Sequence, residues 1–192
     1  MAKDAIAHVR KLDGLQQLLI DHLLETSTIS GQLAAKLNLD LVGELLGLMH
    51  DFGKYSRKFQ KYLHDETGLL NPDLDDEEST PNGSKVDHST AGAQWVYREL
   101  RKFGAAQGIG ELFGQMLGLC IASHHGEGLI DCLDGEGNPK WIERFNKTDE
   151  LTHLAECEQN ANEAIQQKAK ELAGENLIRS LLNSVKLILS DQ

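Results

Sequence analysis

Apolar residues recur at helical spacing along nearly the whole chain, and this is what most limits the fold. Leu12, Leu15, Leu18, Leu19, Ile20 and Leu23 set the period, and later apolar segments repeat it. Only three prolines occur in 192 residues, so long helices are permitted. No segment alternates apolar and polar residues convincingly, and no strong strand is expected. The predicted fold class is all-α, a helical bundle.

The period predicts a helix over 12–25, a break over 26–31 and a short helix over 32–37. Asp40 is placed to cap a helix from Leu41 to Phe52 that stops at Gly53. Further helices are predicted over 55–64, 89–103 and 109–124. One or two long helices are predicted over 147–190, with a weak point at Gly174. Residues 68–85 hold Asn71-Pro72, an acidic run and Pro81-Asn82-Gly83, which predicts a mobile, dispensable loop. Residues 126–139 carry four glycines and read as irregular. No repeat or linker divides the chain, so residues 1–192 read as one domain.

A composition of 40% hydrophobic and 26% charged residues describes a globular chain with a real core. No stretch approaches the roughly 20 apolar residues that span a bilayer, so no membrane association is expected. The first ten residues lack the apolar core of a secretory signal. Three cysteines without CxxC spacing argue against a disulfide scaffold or a cysteine zinc site and fit the reducing cytoplasm. The balance of 19 basic against 30 acidic residues gives −11, which argues against holding nucleic acid by general phosphate neutralisation. The excess is uneven: Asp65 to Glu78 has seven acids and no base, whereas Lys54 to Lys61 has four bases and no acid.

Among the eight histidines, three settings stand out: His50-Asp51, Asp87-His88 and His124-His125. His50 and Asp51 end the apolar run 41–49, where an imidazole and a carboxylate are costly to bury unless paired or metal-bound. Neighbours on a helix point about 100° apart, so the two serve one metal together only if Asp51 reaches across and bridges to a second ion. His22 lies on the apolar face of the first predicted helix. His124 and His125 follow Cys120 and Ile121 by four and face inward on the same argument. His88 starts a helix that Asp87 or Ser89 can cap, and Asp191 follows Ile188 by three on the last apolar helix. Each position has a bland explanation, as a buried hydrogen bond, a satisfied core histidine, a cap or a terminal acid. A core of this size does not keep so many inward-facing polar groups without partners. Imidazole and carboxylate ligands suit manganese, iron, cobalt, nickel or zinc. More than four candidates imply two divalent ions that share a carboxylate, an arrangement suited to phosphoryl chemistry.

The order His22, His50-Asp51, Asp191 resembles the HD superfamily of metal-dependent phosphohydrolases. Three motifs narrow the likeness: Gly47-Leu48-Met49-His50-Asp51-Phe52-Gly53-Lys54-Tyr55-Ser56 with Phe59-Gln60, Asp87-His88-Ser89-Thr90-Ala91-Gly92-Ala93, and Ser123-His124-His125-Gly126. Together they are similar to the HD nuclease domain of the CRISPR-associated helicase–nuclease of type I interference systems. The opening Ile6-Ala7-His8-Val9-Arg10, with Gln17-Leu18-Leu19 and His22-Leu23, is similar to that family's start.

The resemblance implies an HD-domain helical bundle and a nuclease acting on single-stranded DNA. It implies a superfamily 2 helicase, fused or separate, and a guide-RNA surveillance complex as partners. It also implies His22, His50, Asp51, His88, His124, His125 and Asp191 as metal ligands, with Asp51 bridging. Lys54 resembles the family's lysine after HD, a cation for a phosphate or for the site's carboxylates; a helix-end cation facing the macrodipole reads equally well. Ser89 is expected to support phosphate or the loop by hydrogen bonding. Lys54, Arg57, Lys58 and Lys61 fall at i, i+3, i+4 and i+7, one helix face that either holds DNA or is simply solvated. His8 is expected at the surface or behind the ligands, and His64 and His153 at the surface. No GxxxxGK[ST] loop is present, so no ATP motor is expected. Two rivals stay open: an HD enzyme hydrolysing a nucleotide or other small phosphoester, and a non-enzymatic helical binding module.

Overall fold

The computed structural model describes residues 5–10, 12–65, 86–104, 108–125, 136–137 and 140–190. These residues form an all-α fold with one small hairpin. The hairpin pairs β1 (Ile6–Val9) with β2 (Gln16–Leu18), antiparallel and with an irregularity between Ile6 and His8. The helices are α1 (Leu19–Ala34), α2 (Asp40–Met49), α3 (Arg57–Asp65), α4 (Ser89–Leu100), α5 (Ile109–Ala122), α6 (Lys140–Phe145), α7 (Asp149–Thr152), α8 (Leu154–Asn160), α9 (Glu163–Leu172) and α10 (Glu175–Ser190). Short 3-10 turns span Ala35–Leu37 and Phe52–Tyr55. Among the described residues no helix is long and apolar enough to cross a membrane.

Helices α1, α2, α4 and α5 enclose the main core, in which Leu19, Leu23, Leu45, Leu48, Met49, Val96, Leu100 and Ile121 are buried. Helices α9 and α10 add Ile165 and Leu177. A second cluster of Ile6, Val9, Phe59, Leu63 and Val86 seats the hairpin on α3.

The expected break at 26–31 is absent: α1 runs straight through it. Serine, threonine and glycine are indifferent helix formers, but tertiary packing overrides their propensity here. A Cβ at Gly43 would collide with the Ser30 carbonyl, and one at Gly47 would lie 2.6 Å from the Thr26 carbonyl oxygen. The small residues are therefore the place where α1 and α2 make their closest approach. The Ser27 hydroxyl donates to the Glu44 carbonyl at 2.9 Å across that contact.

The first helix also starts later than predicted, because residues 16–18 join the hairpin. Leu12, Leu15 and Leu18 are exposed, so their spacing with Leu19 was no buried helix face. The strands escaped notice for a physical reason. In β1, Ile6, Ala7 and Val9 are all buried and show no alternation, and β2 is largely polar. The side chain of Gln60 completes the pairing: Ile6 N–H donates to its Oε1 at 2.9 Å, and its Nε2 donates to the Ile6 and Lys54 carbonyls at 3.0 and 2.8 Å.

Asp40 is the first residue of α2 rather than its cap; Leu39 holds the cap position. Helices α2, α4 and α5 end earlier than predicted, at Met49, Leu100 and Ala122. The C-terminal third is divided into α7, α8, α9 and α10, with Gly174 between the last two as expected. The loop at 68–85, residues 126–135 and Asp191 lie outside the described residues.

Candidate metal centre

Helix α2 stops one residue before His50, and this sets up the site. His50 occupies the C-cap, Asp51 leaves helical geometry at φ −108°, ψ 19°, and the 3-10 turn begins. The 100° separation of helical neighbours therefore does not apply to this pair. His50 Nε2 lies 3.1 Å from Asp51 Oδ2.

Asp51 is 1% exposed, and its two oxygens face different groups. Toward Oδ2 come His22 Nε2 from α1 at 3.0 Å, His50 and the Lys54 ammonium at 3.0 Å. Toward Oδ1 come His124 Nε2 at 3.3 Å, His88 Nε2 at 3.5 Å and His125 Nε2 at 3.7 Å. His88 stands just before α4, and the histidine pair stands just after α5, in the turn beyond Ala122. Cys120 is exposed, so helical spacing from it did not predict where His124 points. The turn after the helix aims both rings. His8 also joins: with His22 and Asp51 it forms a second possible ligand group beside that of Asp51, His88, His124 and His125. It sits in a strand that is buried on both faces and shows no alternation, and the signal available in the sequence was only its place in the family-like opening.

Several rings are oriented from behind. Nδ1 of His50, His88 and His124 lies 2.8, 3.0 and 2.7 Å from the carbonyls of Gly47, Val86 and Ile121. A carbonyl only accepts, so each Nδ1 carries a proton, and each ring presents its Nε2 to the centre. Inward-facing nitrogens crowd one another: His22 and His50 at 3.0 Å, His88 and His125 at 2.5 Å. Two imidazole nitrogens this close repel unless a proton or cation lies between them. The donor set therefore fits a divalent transition metal. His22 and His50 remain 16% exposed and His124 and His125 20%, which leaves the centre open on one side.

Burial pushes the Asp51 carboxyl up, but His124, His125, His22 and His50 outweigh it and hold the group well below the usual carboxylate range. Burial lowers His88 to about 4 against the pull of Asp51. Burial also opposes charge on His50, yet Asp51 raises it above its ordinary value.

The family profile described as Cas3, HD domain matches residues 6–190. The chain belongs to the Cas3 HD-domain family. No curated protein matches it significantly. As a Cas3 HD domain it is a metal-dependent hydrolase of the HD type in a CRISPR setting, with nucleic acid as its substrate class.

The remaining expected residues are placed as follows. Lys54 does not share a face with Arg57, Lys58 and Lys61. Extended backbone at Ser56 separates the 3-10 turn from α3, and Lys54 is fully buried. Its ammonium lies on Asp51, 3.3 Å from the Ala7 carbonyl oxygen and 5.4 Å from the Phe59 ring centre. Arg57, Lys58 and Lys61 are exposed on α3, with Arg57 paired to Glu156 of α8. Ser89 is buried; its hydroxyl donates to the Ala122 carbonyl at 3.4 Å and accepts from Arg144 at 2.9 Å. His153 is half-buried between α7 and α8 rather than at the surface, with left-handed backbone. The side chain of His64 lies outside the description.

Proposed function

We propose that this Cas3 HD domain cuts single-stranded DNA with two divalent transition-metal ions that share Asp51. The division of the Asp51 oxygens between two groups of imidazoles carries the reading. His22 and His50, with His8 beside them, would hold one ion; His88, His124 and His125 would hold the other. Asp191 is proposed as a further ligand from the C-terminal end. Such ions supply a water nucleophile at neutral pH and offset charge on phosphate oxygens.

The protein's own groups prepare that chemistry. Asp51 stays ionised and, as the bridge, fixes the spacing of the two positions. Lys54 holds Asp51 in place from the buried side. The carbonyls of Gly47, Val86 and Ile121 lock the ring orientations. The open side between His22 and His124 admits a phosphodiester. Lys58 and Lys61 extend the contact along α3, and Ser89 supports the turn that bears His88. A net charge of −11 leaves little phosphate neutralisation elsewhere, which favours delivery of the strand by a superfamily 2 helicase and a guide-RNA complex.

The test is metal analysis of the purified protein together with single-stranded DNA cleavage in manganese, cobalt or nickel. Two bound ions and DNA cleavage are expected. Turnover of nucleotides without DNA cleavage would instead identify a small-phosphoester hydrolase. Absence of both, with no bound metal, would leave a binding module.

A further inference from the structure

Helix α6 lies outside the motifs, yet it reaches into the turn that bears His88. Asp87 anchors that turn: its Oδ1 accepts from Thr90 N–H at 3.1 Å and its Oδ2 from the Thr90 hydroxyl at 2.7 Å. Lys147, two residues beyond α6, donates to the same Oδ2 at 2.5 Å. Arg144 spans Ser89 and Thr90. Its Nε donates to the Thr90 hydroxyl at 3.0 Å and its Nη2 to the Ser89 hydroxyl at 2.9 Å. Ser89 in turn donates to the carbonyl of Ala122, the last residue of α5. One guanidinium thus ties the start of α4, which bears His88, to the end of α5, which bears His124 and His125.

The segment is itself fixed to α4. Gln94 donates to the Phe145 and Lys147 carbonyls at 2.8 and 2.9 Å, and Trp141 is buried. The guanidinium matters as a planar fork, because its two nitrogens meet two hydroxyls at once. A lysine at 144 would bring charge without that double contact.

We propose that Arg144 and Lys147 are positioning residues for the three-histidine side of the centre, setting its affinity for a cation while leaving the His22–His50 side untouched. This rests on the reading of two ion positions about Asp51.

Outer partners of metal ligands typically change affinity by about 10–100-fold. Titration of the metal-free full chain with Mn2+ by calorimetry should show two binding events in the unaltered protein. Arg144→Ala should weaken one of them by about 10-fold or more and leave the other within about twofold. Arg144→Lys should fail to restore it, and Lys147→Ala should show a smaller, equally one-sided loss. The cobalt absorption spectrum should lose the contribution of one site only. Equal weakening of both events, or no change in either, overturns the proposal. A general loss of fold is recognised by a matching fall in the thermal midpoint of the metal-free protein. In that case Ser89→Ala decides by the same one-sided criterion. A single binding event in the unaltered protein would refute the two-ion reading itself, and this inference with it.

Discussion

His22 and His50 reach Asp51 from α1 and the last turn of α2, two helices in close backbone contact at Gly43 and Gly47. His88, His124 and His125 reach it from the ends of α4 and α5. On both sides helices pack closely and backbone carbonyls fix the rings, Gly47 for His50, Val86 for His88 and Ile121 for His124. The second side adds the ion pairs of Asp87 with Lys147 and Arg144. One backbone bond joins them: Gly53 N–H donates to the His88 carbonyl at 3.0 Å, so close that a Cβ at Gly53 would strike that oxygen. The contrast teaches that a single carboxylate can be shared by two sides, one of them with added tethers, each open to separate disturbance.

Asp51→Asn should abolish the contrast. Both proposed ion positions would lose their shared ligand, and cleavage should fall to background. The change also takes the carboxylate from beside the buried Lys54 ammonium, which keeps its bond to the Ala7 carbonyl, at a cost of about 3–5 kcal/mol. Adding Lys54→Met should recover much of that stability but none of the cleavage. Denaturant melts with metal analysis check both halves; full metal content and normal cleavage in Asp51→Asn would defeat the bridging role.

Single ligand losses should sharpen the contrast. His22→Ala and His88→Ala are each expected to remove one ion and retain the other, with cleavage reduced more than about 100-fold, since even outer partners of ligands cost about 10–100-fold. Metal stoichiometry decides this, and loss of both ions in either variant would mean that the sides are not separable.

In the metal-free protein His88 and His50 should also answer pH in opposite senses. His88 stays neutral in the fold down to about 4, while an unfolded imidazole takes up its proton near 6.5. Between those values the unfolded chain binds more protons, so this group's contribution is present above about 6.5 and is lost as pH falls toward 4. His50 is raised, so its contribution is full below about 6.5 and lost as pH rises through its elevated value. Imidazole NMR titration should place the two on opposite sides of 6.5, and titration together would contradict the assignment.

The smallest effect belongs to the exposed strip. Lys58→Glu with Lys61→Glu should raise KM for single-stranded DNA a few-fold and flatten its salt dependence. An unchanged salt slope would reduce these lysines to solvated surface.

What the sequence made legible divides along physical lines. Helical content was readable because buried leucines must recur at 3.6 residues, and the histidine settings were readable because buried polar groups need partners. The continuity of α1 through Thr26 to Gly31 was not, since only the facing glycines of α2 make those residues good neighbours. The hairpin was hidden because β1 is buried at Ile6, Ala7 and Val9 alike, and His8 was hidden with it. The placement of His50 beside Asp51 required knowing that α2 ends at Met49. Lys54 looked like one more basic residue at helical spacing, and only the chain's turn at Phe52–Tyr55 takes it inside.

That turn bears on the order in which the protein is completed. Small zinc-bound domains wait for their ion before they fold, because binding it supplies their folding free energy. Here the Lys54 ammonium travels with the polypeptide and reaches Asp51 as soon as the core closes. That charge offsets the carboxylate in the interior, so the metal-free protein is expected to fold. Loading should then follow folding as a separate event, governed by which ions the surroundings supply.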